Sequence, residues 1–280
     1  YFQKLLIDQP RLALALLEAA HVSGDARYAD AARSALTFVL GTLQRPNGDY
    51  ANAWDATAEE AMASQFWTVG EITDALGAAA SEFCIAYGAT PQGNLPEDAY
   101  PGLVTKGKNL LHRATPPGAA SAEKKLEASR TKLLQRRQQR PAPTVDERAT
   151  SGAHGLLLAA LAKAGAQLND PTLLAAAKAE AAFIRDHLRA NDGGLVRLSQ
   201  ASTPAGPLVY AQVIEGLLTY ATVANDQDVE RLGRLLYDTL NARFRDPASN
   251  RYFTSSGDAP AAFWARVHSP AGGGGELSSV

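Results

Sequence analysis

Residues 12–54 read LALALLEAAHVSGDARYADAARSALTFVLGTLQRPNGDYANAW, and this stretch decides the fold because its plan returns twice. Residues 155–199 read GLLLAALAKAGAQLNDPTLLAAAKAEAAFIRDHLRANDGGLVRLS, and residues 213–256 read VIEGLLTYATVANDQDVERLGRLLYDTLNARFRDPASNRYFTSS. Each copy holds two helical runs joined at a Gly-Asp or Asn-Asp pair: Gly24-Asp25, Asn169-Asp170 and Asn225-Asp226. A second turn rich in Gly, Asn and Asp follows, at Asn47-Gly48, at 191–194 and at 246–250, and leads into a short strand. Recurrence at this spacing is the mark of a stacked two-helix unit, so the chain is expected to be an all-α array of helical hairpins.

Leu12, Leu14, Leu16 and Leu17 alternate with Ala13, Ala15, Ala19 and Ala20, strong helix formers with little bulk. Helices that are apolar nearly all round are expected to be buried by neighbours. Asp25, Asp170 and Asp226 stand where an N-cap accepts backbone N–H bonds, and Pro171 follows at the position where a missing N–H costs nothing. These acids therefore read as helix starts, not as active-site groups.

The 280 residues are expected to form a single domain over 1–280. A net charge of −2, from 27 basic and 29 acidic residues, supplies no general field for nucleic acid or anionic lipid, and neither a nucleic-acid nor a membrane partner is expected. No apolar run reaches the roughly 18 residues that span a bilayer. The single cysteine, Cys84, excludes an internal disulfide and a thiolate zinc cluster, and no metal or cofactor is expected. The ends, YFQKLLIDQ and AGGGGELSSV, read as cuts from a longer protein. Between the first and second hairpins, Thr68 is placed to cap a short helix containing Glu71 and Ile72, and residues 91–117 form a Pro- and Gly-rich excursion of the kind that often carries function. EKKLEASRTKLLQRRQQR, residues 123–140, reads as a solvated helix with Leu126, Leu133 and Leu134 on one stripe.

Several short strings, in order, resemble thioredoxin-domain-containing proteins related to spermatogenesis-associated protein 20. They are YFQKLLIDQ, DYANAWDATAEEA with Tyr50, Asp55 and Glu59, FWTVGEI with Trp67, Thr68, Glu71 and Ile72, YGATPQGNL with Gly93 and Asn94, KNLLH with Asn109 and His112, and VDERATSGAHGLLLAALAKAG with Asp146 and Gly155. The resemblance implies an (α/α) toroid of the six-hairpin glycosidase type, here without the upstream thioredoxin-like domain and the last hairpins. It also marks departures. Thr57 stands for an aspartate, Ala153 and His154 for a Trp-Asn pair, and Leu208-Val209 for two acids.

Toroid glycosidases use two carboxylates about a sugar bond. The candidate catalytic groups are Asp55, Glu59, Asp146 and His112, with Glu147 beside Asp146. Tyr50, Trp54, Trp67 and His154 are the candidate ligand-binding groups, since aromatic faces suit sugar C–H surfaces. Four of them have a plainer role: Asp146 as a helix cap, Asp55 and Glu59 in an Asx-turn or cap, and Trp67 in the core. The polar positions drift while the apolar scaffold persists. The expected function is thus a non-catalytic toroid domain that binds a sugar-like or polar ligand and is joined to a thioredoxin-like module. The alternatives are an active glycoside hydrolase or sugar epimerase, and a helical scaffold that presents a protein partner.

Overall fold

A computed structural model describes residues 3–55, 64–96, 104–257 and 268. Its helices are α1 (Asp8–Ser23), α2 (Ala26–Phe38), α3 (Val69–Leu76), α4 (Ala80–Tyr87), α5 (Ala120–Gln138), α6 (Ser151–Gln167), α7 (Pro171–His187), α8 (Pro207–Ala224) and α9 (Gln227–Phe244). The strands are short: β1 (Lys4–Leu5), β2 (Ala53–Asp55), β3 (Thr144–Asp146), β4 (Val196–Leu198) and β5 (Ala201–Pro204). The chain divides into two compact units, Lys4–Trp54 with Val145–Val280, and Tyr1–Gln3 with Asp55–Thr144.

The larger unit holds the three repeats, as α1/α2, α6/α7 and α8/α9. Each Gly-Asp or Asn-Asp pair does two jobs. Gly24, Asn169 and Asn225 take positive φ (69°, 49° and 53°), which turns the chain out of the first helix. The next residue then caps the second helix: Asp25 accepts from the N–H of Arg27, Asp170 from Thr172 and Leu173, and Asp226 from Asp228 and Val229. The later turns repeat the device with Gly48, Gly193 and Asn250 at φ of 86°, 82° and 58°. Only glycine and asparagine take this conformation cheaply, which is why the loops share a composition.

Helix α6 is buried around almost its whole circumference. Its crossing with α8 is close because glycines meet there: a Cβ on Gly155 would lie 2.5 Å from Val213 Cα, and one on Gly216 would collide with the Gly155 carbonyl. Helix α1 differs from expectation. It buries Pro10, Ala13 and Leu17 but leaves Leu12 51% exposed, so its apolar residues exceed what its neighbours cover. In the three-stranded sheet, order β1-β2-β3, Lys4 pairs with Trp54 and Leu5 with Ala53. The β4-β5 hairpin closes the second repeat.

The smaller unit packs α3, α4 and α5 about Trp67, Ile72, Leu76, Phe83, Leu126 and Leu133. Thr68 caps α3 in a full capping box with Glu71, as its position suggested. In α5 the buried stripe is Leu126, Ser129 and Leu133, while Leu134 turns outward. The described part of the 91–117 excursion is tied down by amides. Asn109 Nδ2 donates to the carbonyls of Trp67 (3.1 Å) and Thr90 (3.0 Å), and Asn94 Nδ2 donates to those of Gly88 (2.9 Å) and Leu110 (3.0 Å). Among the described residues no helix is long and apolar enough to cross a membrane.

Candidate functional site

Among the described residues a cluster of buried polar side chains lies in the larger unit and is assembled from three elements. The turn after α2 is held by the Arg45 N–H donating to the Asp49 carbonyl at 2.8 Å, and it delivers Asp49 to the interior. Helix α6 contributes His154, wholly buried, and α7 contributes Glu180. His154 Nε2 lies 3.0 Å from Asp49 Oδ1, and Nδ1 lies 2.7 Å from Glu180 Oε1. Ser199 Oγ donates to the second Asp49 oxygen at 2.8 Å, and the Tyr50 N–H donates to the first at 2.7 Å.

With a carboxylate at each nitrogen, the imidazole donates on both sides and carries charge. Burial opposes that charge, yet Glu180 and Asp49 outweigh it and raise the His154 pKa to about 9. Burial likewise works against the Asp49 carboxylate, but the bonds from His154 and Ser199 bring its pKa below the usual value. The Tyr50 ring meets the imidazole edge-on at 5.9 Å, and Phe183 stacks on it at 5.0 Å. Burial and the Glu180 charge push the Tyr50 phenol up. Glu180 Oε2 is buried without a hydrogen-bond partner among the described residues. The cluster joins three elements, and it is closed to a ligand.

Asp146 ends β3 at the surface of the same unit. Its carboxylate accepts from Arg148 Nε (2.9 Å), from the Arg148 N–H (3.1 Å) and from Asn52 Nδ2 (2.9 Å). The Arg148 guanidinium, first among these, holds its pKa down. Asp146 does not cap α6; Thr150 does, accepting from the Ala153 N–H at 3.2 Å. Next to it Glu147 pairs with Arg45 at 2.9 Å, and Gln200 Nε2 donates to the Glu147 carbonyl at 3.2 Å. Trp54 is half-buried, with Lys4 Nζ 5.4 Å over its ring and Phe38 edge-on at 6.4 Å.

The remaining candidates fall elsewhere. The backbone of Asp55 closes β2, and Glu59 lies outside the described residues. His112 and Trp67 belong to the smaller unit. His112 is exposed, its Nδ1 3.3 Å from the Leu110 carbonyl and its ring against Gly88. Trp67 is buried, with the Arg140 guanidinium 3.9 Å over its face. Of the eight candidates, the structure brings Tyr50 and His154 together in the larger unit, and joins Asp146 to Asn52, which the sequence had not singled out. Asp49 and Glu180 escaped the sequence reading. A lone carboxylate in the Ala-rich run AKAEAAFI was the available signal for Glu180, because a charge on an apolar face needs a partner. Among the described residues no group of His, Cys, Asp and Glu is arranged to hold a metal.

No family model matches the chain. Among solved structures, unsaturated glucuronyl hydrolase from Bacillus sp. GL1 superposes with a TM-score of 0.48 at 14% identity, covering 87% of this chain and 48% of that one. A D-mannose isomerase superposes with a TM-score of 0.39 at 14% identity, covering 90% and 62%. Spermatogenesis-associated protein 20 of Mus musculus is 29% identical, and that of Homo sapiens 27%, each over 92% of this chain. The chain spans 38% of the length of these relatives. The similarity carried by the short strings thus extends along nearly all the residues, and the chain is a homologue of spermatogenesis-associated protein 20.

Proposed function

We propose that this chain is a non-hydrolytic helical domain, of the (α/α) toroid type, that binds a polar, hydroxyl-rich ligand of the carbohydrate class as part of a longer protein. The observation that supports this reading is the state of the carboxylates in the larger unit. A glycosidase acid must hold a proton near neutral pH, which calls for a raised pKa. Asp146 is instead held ionised by Arg148 and Asn52, Glu147 is paired with Arg45, and Asp49 is sealed inside. What remains at this surface is a set of amide, guanidinium and carboxylate groups from Asn52, Glu147, Arg148 and Gln200, the kinds of group that hydrogen-bond sugar hydroxyls. A thioredoxin-like module in the same parent protein is the partner that the sequence resemblance implies.

Thermal-shift and calorimetric titration with mono- and disaccharides tests the binding half. A sugar that stabilises the chain, with the effect lost in Arg148→Ala, is the expected result. Silence across the panel overturns it. Methylumbelliferyl glycosides test the other half: no aglycone should be released, and release abolished by Asp55→Asn would establish hydrolysis instead.

A further inference from the structure

The smaller unit carries a pocket of about 360 Å³, bounded by α4, α5 and the segment that contains Leu111. That volume suits a small molecule. Its interior is apolar and aromatic, formed by Trp67, Phe83, Tyr87, Leu111 and Leu133, with Phe83 and Tyr87 stacked at 4.3 Å. Along its lip run Glu127, Arg130, Thr131, Leu134 and Arg137, which the helical repeat places on one face of α5.

The charges at this lip do not balance. Glu127 pairs with Arg130, whose Nη1 also donates to the Tyr87 hydroxyl at 2.6 Å. Arg140, one turn further on, is committed to Glu71 and to the carbonyls of Ser64 and Phe66. Arg137 has no carboxylate or carbonyl partner among the described residues, and it stands beside Leu134, whose side chain is half exposed at the pocket mouth. An unmatched guanidinium above an apolar hollow is complementary to an anion on an apolar body, since the fork of N–H donors fits a carboxylate and the hollow removes the body from water.

We propose that this pocket binds a small monoanion with a flat apolar body, of the aryl-carboxylate class, with Arg137 holding the carboxylate at the lip. The proposal goes beyond the polar-ligand reading and uses other residues in the other unit, so the fate of one does not decide the other. The solvated reading of this helix then applies to the faces that carry Lys124, Lys125 and Arg136, none of which lines this pocket.

The test is calorimetric titration of the full chain with 2-naphthoate, against acetate and neutral 2-naphthamide. Naphthoate should bind at one site, and acetate and the amide at least tenfold more weakly, because each lacks one half of the recognition. Arg137→Gln should weaken naphthoate by about tenfold, the scale of one charge-assisted contact. Arg136→Gln, which removes the same charge from the same helix outside the pocket, should leave the affinity unchanged. Thr131→Phe, at an exposed position on the lip, should block binding without lowering the melting temperature. Failure of naphthoate to bind the unaltered chain, equal losses in Arg136→Gln and Arg137→Gln, or undiminished binding in Thr131→Phe would each overturn the proposal.

Discussion

Two clusters in the larger unit use the same chemistry and differ in water. Asp49, His154 and Glu180 meet in the interior, with the imidazole fully enclosed, whereas Asn52, Asp146 and Arg148 meet at the surface, with the Arg148 side chain 65% exposed. In the interior each charge depends on the others, because water cannot replace a lost partner. At the surface water replaces either partner, so the same bonds contribute little. Ion pairs in this unit therefore hold the fold where they are buried and contribute little to it where they are exposed.

The strongest way to break the contrast is His154→Ala, which leaves two buried carboxylates facing a void. A loss of about 3–5 kcal/mol, the range for breaking a buried pair, is expected from denaturant titration; a loss below about 1 kcal/mol would remove the distinction between the clusters. Titration probes the same cluster without a mutation. The His154 pKa is raised from 6.5 to about 9, so its contribution is full below about 6.5 and is lost as pH rises through about 9. A shift of this size corresponds to about 3 kcal/mol. The lowered Asp49 pKa has the opposite sign: its contribution is present above the ordinary carboxylate value and is lost as pH falls through the folded-state value. Unfolding free energy measured from pH 6 to pH 10 should decline in the unaltered chain, and the decline should be smaller in His154→Gln.

Between the two extremes lie the hairpin caps. Asp226→Ala removes the acceptor for two backbone N–H groups and should cost about 1 kcal/mol by thermal denaturation. The smallest effect belongs to the surface. Arg148→Ala should change stability by less than about 1 kcal/mol, since that pair is largely solvated. A larger loss would mean that the surface cluster supports the fold and is not free to recognise a ligand.

Much of the architecture was legible because it depends on local rules. The Asp caps, the capping box at Thr68 and Glu71, and the hairpin pairs follow from backbone valences that neighbouring residues satisfy. The apolar pattern alone did not distinguish α6, enclosed on nearly every side, from α1, whose Leu12 faces solvent, because burial depends on which helices arrive alongside. Less of the candidate site was legible. The sequence singled out Tyr50 and His154 without showing that they meet in the interior, because the partners that enclose the ring, Asp49, Glu180 and Phe183, come from positions up to 105 residues away. Asn94 and Asn109 carried the family resemblance without an assigned role; in the structure they tie the Pro- and Gly-rich segment, in which they lie, to the carbonyls of Trp67, Gly88 and Thr90.

The amino-acid order by itself determined that the chain makes capped helical hairpins, where they turn, and which family it resembles. These depend on φ preferences, missing N–H groups and side-chain acceptors within a few residues. Only the tertiary structure decided that His154 is an enclosed imidazolium and Asp146 a surface carboxylate, and that Arg137 stands unmatched at a pocket. The charge and usefulness of such groups are set by desolvation and by partners from distant helices, quantities that exist only after the chain has packed.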